Sequence, residues 1–178
     1  MEYRKAKSTA TVVTTKGPEL MKSLRATLGT ISDLVGATLG PGGRGVLIER
    51  FEHNLPPIVT KDGVTCYRAM GFVDATKQTI LEAARDASVR TASEAGDGTT
   101  TAAVLSEAIV SRIDAYTKQH PQISPQKVVR GLERAFKDLI EPAIREVSIK
   151  ADITTEPGRA LLRAVAKTSA NGDGDLAD

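Results

Sequence analysis

The sequence is poor in cysteine and in aromatic residues. Its 178 residues contain one cysteine, Cys66, and no tryptophan, and aromatic residues make up 3% of the chain. A single cysteine can form neither a disulfide within the chain nor a cysteine-rich metal site, which predicts a buried, inert thiol in a reducing compartment. The scarcity of aromatic side chains argues against a surface on which nucleic-acid bases stack.

The sequence also lacks an excess of charge and a long apolar run. There are 24 Lys and Arg against 22 Asp and Glu, a net charge of +2, so no strong field favours nucleic acid or an anionic membrane as a partner. No apolar run reaches the roughly 18 residues that cross a bilayer, and the N-terminal MEYRKAKSTATVVTT has no signal-peptide core. With 40% hydrophobic residues, the composition predicts a folded, cytoplasmic protein without nucleic-acid or membrane partners.

Apolar residues recur at spacings of three and four, which predicts a mainly α fold. We expect a first helix from Glu19 to Leu39, an alanine-rich second helix from Asp74 to Glu94, and a third helix from about Thr100 to Lys118. The residues expected to face inward are Leu20, Leu24, Leu28, Ile31, Val35 and Leu39 in the first helix, Ile80, Ala84, Ala87 and Thr91 in the second, and Ala102, Leu105, Ile109 and Tyr116 in the third.

A small sheet is expected beside these helices. The β-branched runs VLIER and PPIVTK predict a hairpin or a pair of strands, and ATVVTT near the N-terminus is a candidate third strand. The fold class predicted is therefore a helical domain with a small β-sheet or hairpin.

Further helices are expected towards the C-terminus. Ser124 followed by Pro125 predicts a capped helix start, and Pro142 predicts a kink in the last turns of that helix. A shorter helix is expected from near Thr155. The change of pattern at Ser148 predicts a domain boundary there, which divides the chain into residues 1–147 and 148–178.

Three threonines follow Gly-Asp-Gly in the stretch EAGDGTTTAAVL, at the expected start of the third helix. Gly96 and Gly98 allow a sharp turn and a close approach to a ligand, and a helix start offers free N–H groups with partial positive charge. Asp97 would repel phosphate unless a divalent cation such as Mg²⁺ lay between them. The plain alternative is that Asp97 or Thr99 caps the helix, which accounts for one threonine but not three.

Two more glycine-containing turns have a similar double interpretation. TLGPGGRG, residues 38–45, can cradle an anion with its backbone amides or can simply end a helix. TKDGVT, residues 60–65, places Asp62 in a tight turn at the end of a strand, where Asp-Gly is also ordinary turn chemistry. The chain has no G-x-x-x-x-G-K-[ST] loop, so a Walker-type phosphate site is excluded.

In this order and spacing, ATLGPGGRGV, IVTKDGVT and AGDGTTTAAVL resemble the N-terminal equatorial-domain segment of group I chaperonins, the GroEL type. VAKTSANGD resembles the segment where such proteins enter their intermediate domain, and the resemblance covers about residues 21–173. It implies an ATP-driven protein-folding chaperone subunit, with an equatorial ATP-binding domain at 1–147 and the start of an intermediate hinge domain at 148–178. The apical domain and the second equatorial segment of the family are expected to be absent from these 178 residues.

The resemblance also implies site residues, cofactors and partners. The implied ATP contacts are Thr38, Leu39, Gly40, Pro41, Lys61, Gly63, Asp97, Gly98, Thr99, Thr100, Thr101 and Ser169. Asp97 is the implied Mg²⁺ ligand, and Asp62 is the implied catalytic carboxylate near the attacking water. K⁺, bound by carbonyl and hydroxyl oxygens, is a further candidate cofactor. The implied partners are other copies in a homo-oligomeric ring, unfolded protein clients and a co-chaperonin.

The chain departs from the family pattern at several positions. Gly42 and Gly45 stand where the family usually has Lys and Asn, and Thr168 stands where a more apolar residue is usual, which indicates a divergent member and makes a viral origin one interpretation. The alternative function is a truncated chaperonin-like module that binds nucleotide or joins a ring without folding or ATPase activity; a longer gene or a heavier intact mass would separate the two. A general nucleotide-binding enzyme is disfavoured, since three ordered motifs would have to coincide.

Overall fold

The computed structural model describes residues 16–40, 42–50 and 55–169, and these form a mainly helical fold with one small sheet, as predicted. In chain order the elements are α1 (Gly17–Gly36), β1 (Val46–Ile48), β2 (Ile58–Thr60), α2 (Gly63–Ala69), α3 (Ala75–Ala95), α4 (Thr99–Gln119), α5 (Pro125–Ala135), a π-helical turn (Phe136–Ile140), α6 (Glu141–Val147) and α7 (Glu156–Ser169). The candidate strand ATVVTT lies outside the described residues. Within the described ranges, no helix combines the length and the apolar character that crossing a membrane requires.

Helices α1, α3 and α4 pack against one another and form the core. From α1, Leu28, Ile31 and Val35 are buried, as the spacing predicts, and they meet Leu81 of α3 and Ala103 of α4. The core therefore lies at the junction of three helices that are far apart in sequence.

The predicted inward face of α3 is partly wrong. Ala87 is exposed, and the buried residues of this helix are Leu81 and Ser88, with Ile80 and Ala84 packed at the edge of the core. Alanines lie on several sides of this helix, so apolar spacing alone separates its faces poorly. The tertiary contacts with α1 and α4 decide which side is buried.

The predicted face of α4 is wrong. Leu105, Ile109 and Tyr116 are exposed, whereas Ala103 and Asp114 are buried. Asp114 can turn inward because its carboxylate is paired with Arg25 of α1. A buried charge is tolerated when it is paired and hydrogen-bonded, which the apolar pattern of one helix does not reveal.

The ends of α1 also differ from the prediction. The helix ends at Gly36 instead of Leu39, and both Leu20 and Leu39 are exposed. Leu24 is packed against the core without being fully buried. The inward stripe is therefore shorter than the apolar spacing suggests.

The predicted hairpin is confirmed, and it leads directly into α2. Strands β1 and β2 are antiparallel, with Leu47 opposite Val59. Helix α2 then buries Cys66 and Tyr67 against the core, so the prediction of a buried thiol is also confirmed. Burial, together with the nearby charge of Asp62, raises the pKa of the Cys66 thiol, which keeps it in the less reactive protonated form.

After α4, the helix α5, the π-helical turn and α6 follow one another without an intervening loop. Ser124 occupies the N-cap position of α5 and Pro125 its first turn, but the serine side chain makes no capping hydrogen bond. The π-helical turn lies immediately before α6, in whose first turn Pro142 lies, and the kink at Pro142 stays a prediction. The missing N–H of a proline leaves an α-helical carbonyl without its donor, and a wider turn accommodates this.

Helix α7 starts at Glu156, close to the predicted position near Thr155. Residues 148–155 between α6 and α7 contain no helix or strand. The break agrees with the change of sequence pattern at Ser148, and the domain boundary there stays a prediction.

Candidate nucleotide site

Three loops and part of α7 line one cavity of about 1040 Å³. The end of α1 contributes Thr38, Leu39 and Gly40; the β2–α2 turn contributes Lys61, Asp62, Gly63 and Val64; the α3–α4 turn contributes Gly96, Asp97, Gly98, Thr99, Thr100 and Thr101, with Ala92 beside it; and α7 contributes Ala164, Lys167 and Thr168. This volume suits a small-molecule ligand of nucleotide size. The three sequence motifs thus meet, although a helix stop, a strand turn and a helix start would need no such meeting.

Most of the residues predicted to contact ATP line this cavity. The exceptions are Pro41, which lies outside the described residues, and Ser169, which lies in α7 but whose side chain is outside the described part. Lys167 and Thr168 line the cavity without having been predicted as site residues. Their spacing from Ala164 by three and four positions, one side of a helix turn, is the signal that could have found them.

The start of α4 presents uncapped backbone N–H groups. Gly98, with φ of 95°, is the N-cap residue, and no side chain caps the helix. The first helical hydrogen bond runs from the N–H of Ala102 to the carbonyl oxygen of Gly98, 2.8 Å apart. The amides of Thr99, Thr100 and Thr101 therefore have no intrahelical acceptor, and the positive end of the helix dipole lies among cavity-lining residues.

The plain capping alternative for this motif is wrong. Asp97 accepts a hydrogen bond at 2.6 Å from the N–H of its neighbour Gly98, and does not bond to the first turn of the helix beyond it. Gly96, with φ of 79°, ends α3 in the left-handed conformation that glycine adopts readily. The two glycines shape the turn, and the threonines remain available to a ligand.

The three loops touch at Gly63. A Cβ atom at this position would overlap Oγ1 of Thr100 and lie 3.3 Å from Val35 Cγ1. Thr38 Oγ1 lies 3.4 Å from Thr100 Oγ1 and donates a 2.7 Å hydrogen bond to the carbonyl oxygen of Val35. The absence of a side chain at Gly63 therefore allows the starts of α2 and α4 and the end of α1 to pack together.

Asp62 caps α2. Its Oδ1 accepts from the N–H of Val64 at 3.2 Å, and its Oδ2 accepts from the N–H of Thr65 at 2.9 Å and from the Thr65 hydroxyl. Partial burial raises the pKa of Asp62, but the hydrogen bonds from Thr65 and Val64 and the charge of Arg68 outweigh this effect, so that the pKa lies below its usual value. Asp62 is therefore ionised at neutral pH.

Asp97 is exposed at the cavity, as a metal ligand shared with a substrate must be. The described residues contain no group of three or more His, Cys, Asp or Glu side chains that could hold a metal ion by itself. Mg²⁺ commonly binds through one or two carboxylates together with substrate phosphates, and Asp97 beside an anion-binding helix start fits that pattern.

The family follows from comparison with known proteins. Residues 31–178 match the TCP-1/cpn60 chaperonin family, and the chain belongs to this family. A 60 kDa heat shock protein homolog 2, mitochondrial, from Drosophila melanogaster is 33% identical over 88% of this chain and 26% of its own length. Chaperonin 60 subunit alpha 1, chloroplastic, from Arabidopsis thaliana is 34% identical over 85% of this chain and 24% of its own length.

Solved structures of chaperonins share the fold. The chaperonin gp146 from bacteriophage EL, crystallised in the presence of ATP-BeFx, is 27% identical with a TM-score of 0.65 over 90% of this chain and 26% of that one. A group III chaperonin in the open state is 29% identical with a TM-score of 0.69 over 89% of this chain and 30% of that one. The chain thus spans about a quarter of the length of these relatives. The group I type and a viral origin stay predictions.

Proposed function

We propose that this chain provides the ATP-binding site of a chaperonin subunit that couples ATP hydrolysis to the folding of other proteins. The observation that carries the proposal is the meeting of three glycine-containing loops at one cavity, with the uncapped start of α4 among its lining residues. Membership of the chaperonin family supports the same proposal.

The chain's own residues would act on the phosphates in two ways. The N–H groups and hydroxyls of Thr99, Thr100 and Thr101 would donate hydrogen bonds to phosphate oxygens and stabilise the charge that builds up as the γ-phosphoryl group is transferred. Asp62, ionised and held rigidly by Val64 and Thr65, would accept a hydrogen bond from a water molecule and orient it for in-line attack. Within the described residues, Oδ2 of Asp62 accepts two hydrogen bonds, but Oδ1 accepts only one and keeps a lone pair for a water molecule, so both roles are compatible.

Asp97 would hold Mg²⁺, which when bound neutralises part of the phosphate charge. K⁺ would bind carbonyl and hydroxyl oxygens of the same loops. ATP and its hydrolysis products would favour different arrangements of the subunit, and contacts in a homo-oligomeric ring would couple neighbouring subunits. Unfolded proteins, and a co-chaperonin, would be the partners of the complete protein, which we place in the cytoplasm.

Replacement of Asp97 tests this proposal. In the full-length protein, Asp97→Ala should abolish steady-state phosphate release from ATP while the circular dichroism spectrum is unchanged, because an exposed loop carboxylate contributes little to stability. Asp138→Ala, which removes an exposed carboxylate from the π-helical turn, is the matched control and should keep wild-type turnover. Unchanged turnover in Asp97→Ala would contradict the assignment.

The second candidate is nucleotide binding without hydrolysis. It is favoured by one observation: both oxygens of Asp62 already accept hydrogen bonds within α2, and the other acidic residue of the described cavity lining is Asp97. Calorimetric binding of ATP with no phosphate release by the full-length wild-type protein would select this candidate.

A further inference from the structure

Helix α7 brings a lysine to the cavity. Lys167 lines it together with Ala164 and Thr168, one helical turn that faces the loops of α1, α2 and α4 across the space. Thr168, like Lys167, is a polar and exposed residue. This end of α7 is therefore polar where it borders the candidate nucleotide site.

Lys167 pairs with no acidic side chain in the described part of the chain. Five other basic residues do form such ion pairs, including Arg159 two turns earlier in the same helix, whose Nη2 lies 2.8 Å from Glu156. Lys167 is exposed at the cavity instead. An ammonium group in this position is available to an anion that enters the cavity.

The balance of charge around the cavity depends on this lysine. Among the described lining residues, the ionisable side chains are Lys61 and Lys167 on one side and Asp62 and Asp97 on the other. Without Lys167 the lining carries one more negative than positive charge, which opposes the binding of a polyphosphate. With it the acidic residues are balanced, and the dipole of α4 adds partial positive charge.

We propose that Lys167 binds a phosphate group of the nucleotide and so adds a cationic contact from α7 to the site formed by the three loops. The proposal rests on the proposed nucleotide-binding function of the same cavity. Lysine is suited to the role, because its ammonium group is a compact charge with three donors on a flexible stem that adapts to phosphate oxygens.

Calorimetric titration of the full-length protein with ATP tests the proposal. A charge-assisted hydrogen bond contributes enough that Lys167→Met should weaken ATP binding by about tenfold or more. Lys167→Arg keeps the charge and should recover most of the affinity. Lys150→Met removes an exposed lysine that does not line the cavity and should bind ATP like the wild type.

Adenosine, used as a competitor of a fluorescent ATP analogue, separates a phosphate contact from a general disturbance of the cavity. If Lys167 contacts phosphate, Lys167→Met should weaken the binding of the analogue but leave the inhibition constant of adenosine, corrected for the affinity of the analogue, unchanged. Wild-type ATP affinity in Lys167→Met, or an equal loss in Lys150→Met, would overturn the inference while leaving the proposed function intact. Failure of the wild-type protein to bind ATP would overturn both.

Discussion

The helices before and after residue 120 differ in whether they bury side chains within the chain. Helices α1, α3 and α4 each bury some of their residues in a shared core, whereas α5, the π-helical turn and α6 contain no buried residue and expose Leu132, Phe136 and Ile144. All of these segments are helical, so helix formation does not require that a face be buried within the chain. The two groups differ in whether a helix packs against other helices of the core.

This difference in packing explains which elements fix the positions of the loops at the candidate site. The loops that carry the three motifs begin or end at elements of the packed region: α1, β2, α2, α3 and α4. Among the described lining residues, those of α7 alone come from the region after residue 120, where Leu162 and Val165 are exposed. The loop side of the cavity should therefore be rigid, and its stability should follow that of the core.

The largest difference in stability should come from truncating one leucine before residue 120 and one after it. Leu81→Ala removes a fully buried side chain of α3 and should reduce the local free energy of unfolding by about 2–5 kcal/mol, through lost burial and the cavity left behind. Leu162→Ala, at an exposed position of α7, should change it by no more than about 0.5 kcal/mol. Native-state hydrogen exchange of α3 and α7 amides in the full-length protein measures both. Equal losses would refute the division into packed and unpacked regions.

The next contrast tests whether the core and the site are one unit. Gly63→Ala places a methyl group against Thr100 and Val35 and should cost about 1–3 kcal/mol, measured in the same way, because the starts of α2 and α4 must separate. The double variant Gly63→Ala, Thr100→Ala removes the overlapping hydroxyl and should recover part of the loss. Gly71→Ala is the control, because a Cβ there meets no atom within 4 Å. A fully stable Gly63→Ala would show that the loops do not pack as described.

The sequence predicts the meeting of the three loops better than it predicts which helix faces are buried. The resemblance places residues of all three glycine-containing motifs among the implied ATP contacts, and the three loops do line one cavity. A resemblance carries information about tertiary structure that no single motif holds. The hairpin and the positions of the main helices were predictable from local patterns.

The inward faces of α3 and α4 were not predictable in this way. Asp114 is buried because Arg25, 89 residues away in sequence, lies within hydrogen-bond distance, and no periodicity within α4 records that partner. The sequence does not predict Lys167 as a site residue for a related reason. A lysine on a helix is normally a solvated surface residue, and the tertiary arrangement is what shows that Lys167 borders a cavity.

A smaller effect should separate the two roles of Asp62. Asp62→Ala removes the cap of α2 and should cost about 0.5–2 kcal/mol, whereas Asp62→Asn keeps an acceptor at the N-cap and should cost less. Because the pKa of Asp62 is depressed below 3.8 in the folded state, its ionised form adds stability above that pH. This contribution is lost as the pH falls through the lower folded pKa.

The pH dependence and the activity then distinguish capping from catalysis. Asp62→Asn should flatten the loss of stability below pH 3.8 relative to the wild type, as followed by acid titration of the circular dichroism signal. If Asp62 also orients water, the same variant should lose ATP turnover while it keeps ATP binding. Wild-type turnover in a stable Asp62→Asn variant would restrict the residue to capping.

The smallest effects should come from the two partners of Asp114. Lys118 and Arg25 both contact its Oδ2, at 2.7 and 2.9 Å, but Lys118 lies on α4 itself whereas Arg25 joins α4 to α1. The hydrogen bond from Lys118, followed by that from Arg25, holds the pKa of Asp114 below its usual value. Lys118→Met should therefore raise this pKa more than Arg25→Met does, as read from carboxyl NMR titration.

Stability should rank the same two variants in the opposite order. Arg25→Met removes a contact between helices and should increase hydrogen exchange in α1, whereas Lys118→Met removes a contact within α4 and should leave α1 unchanged. Both losses should be smaller than that of Asp62→Ala, because each variant leaves Asp114 one cationic partner. The opposite outcome is that Lys118→Met increases hydrogen exchange of the α1 amides as strongly as Arg25→Met does. In that case the ion pair between α1 and α4 would not determine which face of α4 is buried. The packing of Ala103 alone would then have to account for the orientation of that face.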